Sequence, residues 1–289
     1  MSLSHLAPSV REFVSLPDEE RRRLICSDRW IGYPLATRTL EGIEEILHRP
    51  RVSRMRSLLI HGESGMGKTL IRLKMERDYA TGFPVGPNDE NRPLISLQLP
   101  ARPDERRFFT HLLDALGAPP RPRDTLDQIE ISALRLLRHL KPAAFLLDEF
   151  QHVGTASARD VQALLNLLKF LSNDLETPII AFGTDAAISV IKLDRQIDSR
   201  FYKLSMPVWR DTKEFVDLVA SIIAAMPLKN ASNVTDRSLI RALLDLSEGI
   251  TGEVFHLIST AAGAAVGQKE NITVAGIEAA ANMRWRIAG

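Results

Sequence analysis

The chain has 289 residues, 45% hydrophobic and 25% charged, which is enough apolar material for one large core or two modest ones and excludes a disordered polypeptide. Lys and Arg number 37 against 36 Asp and Glu, a formal charge of +1, so an anionic partner must be held by a local basic surface and not by overall charge. The single cysteine, Cys26, reads as a half-buried thiol with no internal disulfide. No run of about 18 apolar residues offers a membrane span, and the first residues lack the basic start and apolar run of a secretory signal. The expectation is a soluble, cytoplasmic protein with no membrane partner.

In chain order, residues 1–30 hold short apolar groups broken by the charge run Asp18–Arg23, with Pro17 where a helix can start, and read as one N-terminal helical arm. The spacing of Leu40, Ile43, Ile46 and Leu47 predicts an amphipathic helix over Thr39–Leu47. Arg56–His61 is a short apolar run that reads as a buried strand, followed by a glycine-rich turn and a predicted helix over Thr69–Tyr79. Further buried strands are predicted at Leu94–Leu99, Ala143–Leu147 and Pro178–Gly183. Helices at Phe108–Leu116, Thr125–Leu140 and about Arg159–Leu171 lie between them. Such alternation predicts an α/β fold, a parallel sheet covered by helices on both faces.

After Trp209 helical spacing dominates: Phe215, Val216, Val219, Ile222 and Ile223, then Leu239, Ile240, Leu243 and Leu244. Two last helices are expected at about Gly252–Val266 and Thr273–Trp285, the second with Thr273 as N-cap. The predicted organisation is an N-terminal arm (1–30), an α/β domain (31–208) and a small all-helical domain (209–289).

Chemistry concentrates at Gly62-Glu63-Ser64-Gly65-Met66-Gly67-Lys68-Thr69, which fits G-x-x-x-x-G-K-[ST] between a predicted strand and a predicted helix. Glycines let the backbone curl so that successive N–H groups point at phosphate oxygens, and the helix N-terminus adds a favourable dipole. Lys68 is expected on the β- and γ-phosphates of ATP, and the Thr69 hydroxyl on Mg2+. The apolar run Ala143–Leu147 then delivers Asp148 and Glu149 at a strand's carboxyl end, the edge where such sheets bind ligands. Asp148 is expected to hold the metal through water and Glu149 to orient and deprotonate the attacking water.

Two further positions follow from the order of strands. Ala181-Phe182-Gly183-Thr184-Asp185 ends a strand expected beside the P-loop strand, so Thr184 is the candidate for touching the γ-phosphate or the water. The alternative is that Thr184 or Asp185 only caps the helix starting near Ala186. In Asp194–Phe201, Arg200 first and Arg195 second are candidates to reach the γ-phosphate of a neighbouring subunit, with surface salt bridging as the alternative.

The set Gly62–Thr69, Asp148-Glu149, Thr184 and Ser199-Arg200-Phe201, followed by a helical region, resembles the AAA+ ATPases. More narrowly, Ile31–Pro34 (IGYP), Leu165–Asp174 (LNLLKFLSND), Ala181–Ala187 (AFGTDAA) and Gln196–Trp209 resemble the TniB family of transposon-encoded ATPases. The resemblance runs from about Trp30 to the end of the sequence. It implies an ATP-dependent DNA-binding regulator of transposition that forms a ring or helical filament on target duplex DNA and recruits or activates a transposase. It also implies a helical lid over 209–289, an adenine contact at Tyr33, and channel-facing arginines Arg102, Arg106 and Arg107 contacting DNA phosphates without sequence preference. A lid arginine common in related ATPases has no counterpart in Gly249–His256, where His256 reads as a helix-face histidine packed on the sheet domain, the alternative being that it substitutes for that arginine. The remaining histidines show no ligand spacing, so no structural metal is expected. The competing readings are a protein-remodelling AAA+ ATPase and a helicase-loader-like one. Residues 99–110 carry arginines and no aromatic-x-Gly tripeptide, which favours DNA over a threaded polypeptide.

Overall fold

The computed structural model describes residues 3–27, 30–80 and 93–287. By its internal contacts the chain divides into two units. One comprises Arg38–Glu63 and Lys68–Met206, the other Met1–Thr37, Ser64–Gly67 and Pro207–Gly289.

In the first unit, β1 (Ser57–His61), β2 (Leu94–Gln98), β3 (Ala144–Asp148), β4 (Ile179–Gly183) and β5 (Phe201–Ser205) form a parallel sheet in the order β2-β3-β4-β1-β5. The strands β1, β3 and β4 are buried along their whole length, which is why they read as unbroken apolar runs and not as alternating ones. The edge strand β5 is partly exposed along its length. The crossover segments include α3 (Lys68–Ala80), α4 (Glu105–Ala115), α5 (Leu126–Leu140), α6 (Ala158–Asp174), α7 (Ala186–Lys192) and the short α8 (Arg195–Asp198). Their apolar faces and the sheet share one core, in which Leu59, Phe108, Phe145, Leu147, Phe150 and Leu164 are almost fully buried. Helix starts are fixed by side chains satisfying free backbone N–H groups: Ser157 accepts from Asp160, and Thr125 and Gln128 form a reciprocal capping box. Asp104 caps in the same way, accepting from the Arg107 N–H at 2.8 Å, so α4 starts three residues earlier than its apolar spacing predicts. Arg106 and Arg107 therefore stand on the first turn of a helix. The helix α2 (Pro34–Leu47) likewise starts before the predicted Thr39, with proline at its first position, where a missing N–H does no harm.

The second unit holds a 3-10 helix (Pro8–Ser15), α1 (Asp18–Cys26), α9 (Lys213–Ala224), α10 (Arg237–Ser247), α11 (Thr251–Ala265) and α12 (Val274–Ile287). Phe215, Leu218, Val219, Leu243, Val254, Ile258 and Ile277 are buried, as is Ile25 of α1. Residues 3–27 are packed within this unit. The Ala7 N–H donates to the Ala224 carbonyl at 2.8 Å, and the fully buried Arg21 of α1 forks onto Glu270 with two 2.7 Å bonds. Thr273 caps α12, its hydroxyl accepting from the Gly276 N–H at 3.2 Å. No helix among the described residues is long and apolar enough to cross a membrane.

Candidate nucleotide-binding site

In the sheet unit the chemistry-bearing side chains gather at the carboxyl ends of β1, β3 and β4. Gly62 leaves β1 where no side chain fits, because an added Cβ would lie 2.2 Å from the Met206 carbonyl oxygen. That close approach follows from the neighbouring chain, where the Met206 N–H donates to the His61 carbonyl at 2.7 Å. Lys68 opens α3 and folds back, donating to the Gly62 and Glu63 carbonyls at 2.8 and 2.7 Å. Burial pushes its ammonium below the usual lysine range, opposed by the negative charges of Asp148, Glu149, Glu63 and Asp185.

Asp148 ends β3 and is buried, and its carboxylate accepts from the Thr69 hydroxyl at 3.2 Å and from Arg72 Nε at 3.1 Å. A hydroxyl and a carboxylate converging in this way are hard oxygen donors of the kind that hold Mg2+ when phosphate oxygens and water complete the shell. No group of three or more His, Cys, Asp or Glu side chains able to hold a metal occurs among the described residues.

Glu149 follows directly in the left-handed region, at φ 58° and ψ 37°. A non-glycine residue there is strained, a condition concentrated at functional sites. The turn redirects the chain into a 3-10 helix (Phe150–Thr155), and Gln151 from that helix donates its side-chain amide to the Glu149 carboxylate. The Gln151 carbonyl oxygen accepts from the Thr184 N–H at 3.0 Å, beyond the end of β4. Asp185 stands at the N-cap of α7 without making a side-chain cap bond; its carboxylate instead meets His61 Nδ1 at 2.7 Å. The capping alternative for Asp185 is therefore not what the side chain does.

In the other unit, Ser64–Gly67 pack against residues that precede and open α11. The Gly252 N–H donates to the Gly65 carbonyl at 2.9 Å, and the Thr251 hydroxyl lies 3.8 Å from the buried Met66 sulfur. Tyr33 is buried, edge-on to Trp209 with ring centroids 5.9 Å apart, and its hydroxyl points at the Met66 carbonyl at 3.5 Å. Burial raises the phenol to about 12, so it remains a neutral donor.

The arginines stand elsewhere. Arg200 precedes β5 and donates to Asn173 Oδ1 at 2.7 Å; it lines a cleft of about 310 Å3 with Arg54, Arg56, Gln196 and Ser199. Burial and the neighbouring Arg54 charge hold its guanidinium below the usual arginine range. Arg195 is the exposed first residue of α8. Arg107 donates to the Ala101 and Arg102 carbonyls, and Arg106 to the Asp124 carbonyl at 2.8 Å. Arg102 is exposed, with φ 56°, and its side chain makes no hydrogen bond or ion pair among the described residues. Two expectations are corrected: Cys26 is exposed at the end of a short polar helix, and His256 is exposed on α11 instead of packed.

Arg72 and Gln151 were not found from sequence. Arg72 stands one helical turn after Lys68 and joins Asp148, Glu76 and Ser96. The signal for Gln151 was its place two residues after the carboxylate pair, too weak to separate from an ordinary polar position.

The family model described as Bacterial TniB protein matches residues 21–211. The chain belongs to the TniB family. No curated protein gives a match by sequence comparison. Among solved structures, the TniB chain is similar to the Aeropyrum pernix ORC2 protein in ADPNP-ADP complexes, at 16% identity and a TM-score of 0.64, covering 91% of this chain and 71% of that one. It is similar to the Aeropyrum pernix ORC1 protein in complex with DNA at 15% identity and a TM-score of 0.63, covering 92% and 69%. It is also similar to AMPPCP-bound DnaA from Aquifex aeolicus at 16% identity and a TM-score of 0.51, covering 79% and 62%. At these identities the likeness is one of fold, and this TniB chain has the AAA+ fold.

Proposed function

We propose that this protein is a Mg2+-dependent ATPase that binds duplex DNA through phosphate contacts, assembles with copies of itself, and acts in transposition with a transposon-encoded transposase. The observation that carries the reading is the convergence of Lys68, Thr69, Asp148, Glu149 and the Thr184 backbone at one end of a parallel sheet, in a chain of the TniB family. The solved structures with nucleotide or DNA in their names lend support through shared fold.

In this reading Lys68 leaves its carbonyl partners for the β- and γ-phosphates, its ammonium offsetting charge where the P–O bond to ADP breaks. Bound Mg2+ neutralises charge on the phosphate oxygens, and Thr69 and Asp148 are the donors that hold it. Glu149 accepts a proton from the water that attacks the γ-phosphorus, and Thr184 faces the same phosphate. Tyr33 is the residue proposed to contact the adenine. Arg102, on its exposed loop, is the leading DNA phosphate donor, with Arg106 and Arg107 beside it on the first turn of α4.

Arg200 acts in trans. It precedes β5, which runs parallel to β1 in the register Ser57↔Phe201 to His61↔Ser205, so it stands at the opposite strand end from Lys68, roughly 16 Å away along the sheet. No arginine side chain crosses that distance, so the phosphate it meets belongs to a second copy. Arg54 and Arg56 make the surrounding cleft basic.

Mixing two inactive variants tests this assembly. Glu149→Gln lacks the base and keeps Arg200; Arg200→Ala has the converse defect. On duplex DNA with ATP, each alone should turn over slowly, and the mixture should regain hydrolysis at junctions that combine an intact Glu149 with a neighbour's Arg200. Trans-acting arginines contribute about 10³-fold or more in related phosphate chemistry, so partial recovery is readily measured. A mixture that forms joint assemblies yet stays as inactive as its parts removes Arg200 from this role. Wild-type protein that binds duplex DNA equally with and without ATP removes the ATP-dependent DNA reading.

A further inference from the structure

Gln151 stands between the two groups expected to flank the γ-phosphate. Its side-chain amide has one polar atom on each: the nitrogen donates to Glu149 Oε2, and the oxygen accepts from the Thr184 N–H at 3.0 Å. An amide used at both ends has only one orientation that satisfies both partners, since the nitrogen must face the carboxylate and the oxygen the N–H. The chain makes room for it. Gly183, the last residue of β4, lies so close that an added Cβ would sit 2.8 Å from Gln151 Oε1 and 2.9 Å from the Ala187 Cβ. Glu149 itself is held at φ 58°, a strained conformation that the surrounding structure must impose. His152, the next residue, has its Nδ1 2.9 Å from the Leu99 carbonyl and its Nε2 3.9 Å from Glu149, too far for a hydrogen bond to that carboxylate. Gln151 is thus the one neutral side chain among the described residues that bonds the Glu149 carboxylate and the end of β4 together.

We propose that Gln151 is a positioning residue for ATP hydrolysis: its amide fixes the Glu149 carboxylate relative to the end of β4, so that the base and Thr184 address the same water. The inference rests on the reading of Glu149 as general base. A freely rotating carboxylate one bond away from the correct rotamer would still have its charge but would seldom meet the water, and turnover depends on that geometry. Nucleotide affinity, set by the P-loop, does not.

Four variants of the full chain separate positioning from a plain structural role, with phosphate release measured on duplex DNA and nucleotide affinity by displacement of a fluorescent ATP analogue. Gln151→Glu keeps an acceptor for the Thr184 N–H but replaces the donor facing Glu149 with a like charge. Gln151→Ala removes both. Both should lower kcat by about tenfold or more, with ATP affinity within about twofold of wild type, as expected when base catalysis is lost and binding is not. Adding Gln151→Ala to Glu149→Gln should cost no further turnover, because the residue acts only through that carboxylate. If Gln151 merely held the Thr184 backbone, Gln151→Glu would hydrolyse ATP as the wild type does, and that result overturns the proposal. So does a rise in turnover in either variant, or a further loss in the Glu149→Gln background. Glu149→Gln is measured first; unchanged turnover there refutes the base assignment itself, and with it the role drawn from it. Melting temperature identifies a variant that fails to fold, and Gln151→Glu, which retains the Thr184 bond, then decides.

Discussion

Replacing Arg21 tests how residues 3–27 are bound to the helical unit. Arg21 is fully buried, and its guanidinium forks onto Glu270 at 2.7 Å twice, with Asp18 at 2.6 Å and the Pro227 carbonyl at 3.3 Å as further partners. Glu270 also accepts from the Gly267 and Lys229 N–H groups at 3.0 and 3.3 Å. The Arg21 bonds chiefly, helped by those N–H groups and opposed by burial, hold the carboxyl down from 4.5 to about 2. That difference corresponds to about 3 kcal/mol favouring the folded, ionised form. A depressed carboxylate stabilises the fold in full above its unfolded value and loses that contribution as pH falls toward the folded one. Of those 3 kcal/mol, about 2 should be gone by pH 3. Arg21→Met removes both short bonds and leaves the buried Glu270 with the half-exposed Lys229 ammonium at 3.5 Å as its cationic partner, and should cost about 3 kcal/mol at pH 7. Urea unfolding followed by far-UV circular dichroism, at pH 7 and pH 3, measures both quantities. A loss below about 1 kcal/mol at pH 7, or a gap between variant and wild type that does not shrink at pH 3, refutes the buried-pair argument.

Lys68→Ala should weaken ATP binding by more than about tenfold, since a charge facing phosphate is lost, and calorimetry showing equal affinity would remove the P-loop assignment. Thr69→Ala should raise the Mg2+ concentration needed for half-maximal hydrolysis while leaving affinity for ATP in the absence of metal nearly unchanged, and an unshifted Mg2+ titration would exclude the hydroxyl as a ligand. Arg102→Ala should weaken duplex DNA binding equally across sequences and reduce the slope of log affinity against log salt by about 1, measured by fluorescence anisotropy. An unchanged salt slope would take Arg102 off the DNA.

The sheet was legible because its central strands are buried on both faces and so carry unbroken apolar runs, as in Leu58–Ile60 and Phe145–Leu147. The apolar spacing found the helices, most of their starts to within a residue, but it placed the first turns of α2 and α4 late, since caps and proline, and not core contacts, set where a helix begins. Asp104 advances α4 to Glu105, and Pro34 advances α2. The segment 1–30 read as an arm because the charge run Asp18–Arg23 looks solvated in sequence. In the fold, Arg21 within that run is fully buried, its charge met by Asp18 on the same helix and by the buried Glu270, 249 residues away. A pairing between such distant residues leaves no local pattern.

The same reasoning separates what was readable at the site from what was not. Lys68, Thr69, Asp148 and Glu149 each belong to a motif whose spacing is fixed by a strand end and a turn, so sequence alone identifies them. Arg72 and Gln151 are defined by what lies across the sheet from them: Arg72 meets Asp148 on β3 and Ser96 on β2, and Gln151 meets the backbone beyond β4. Their partners arrive through the strand order β2-β3-β4-β1-β5, which no single segment encodes. The motif supplies the groups that act on phosphate. The crossovers that bring β4 alongside β1 and β3 alongside β4 supply the groups that hold those actors still, and substitutions at Arg72 and Gln151 should therefore change rate and metal dependence more than nucleotide affinity.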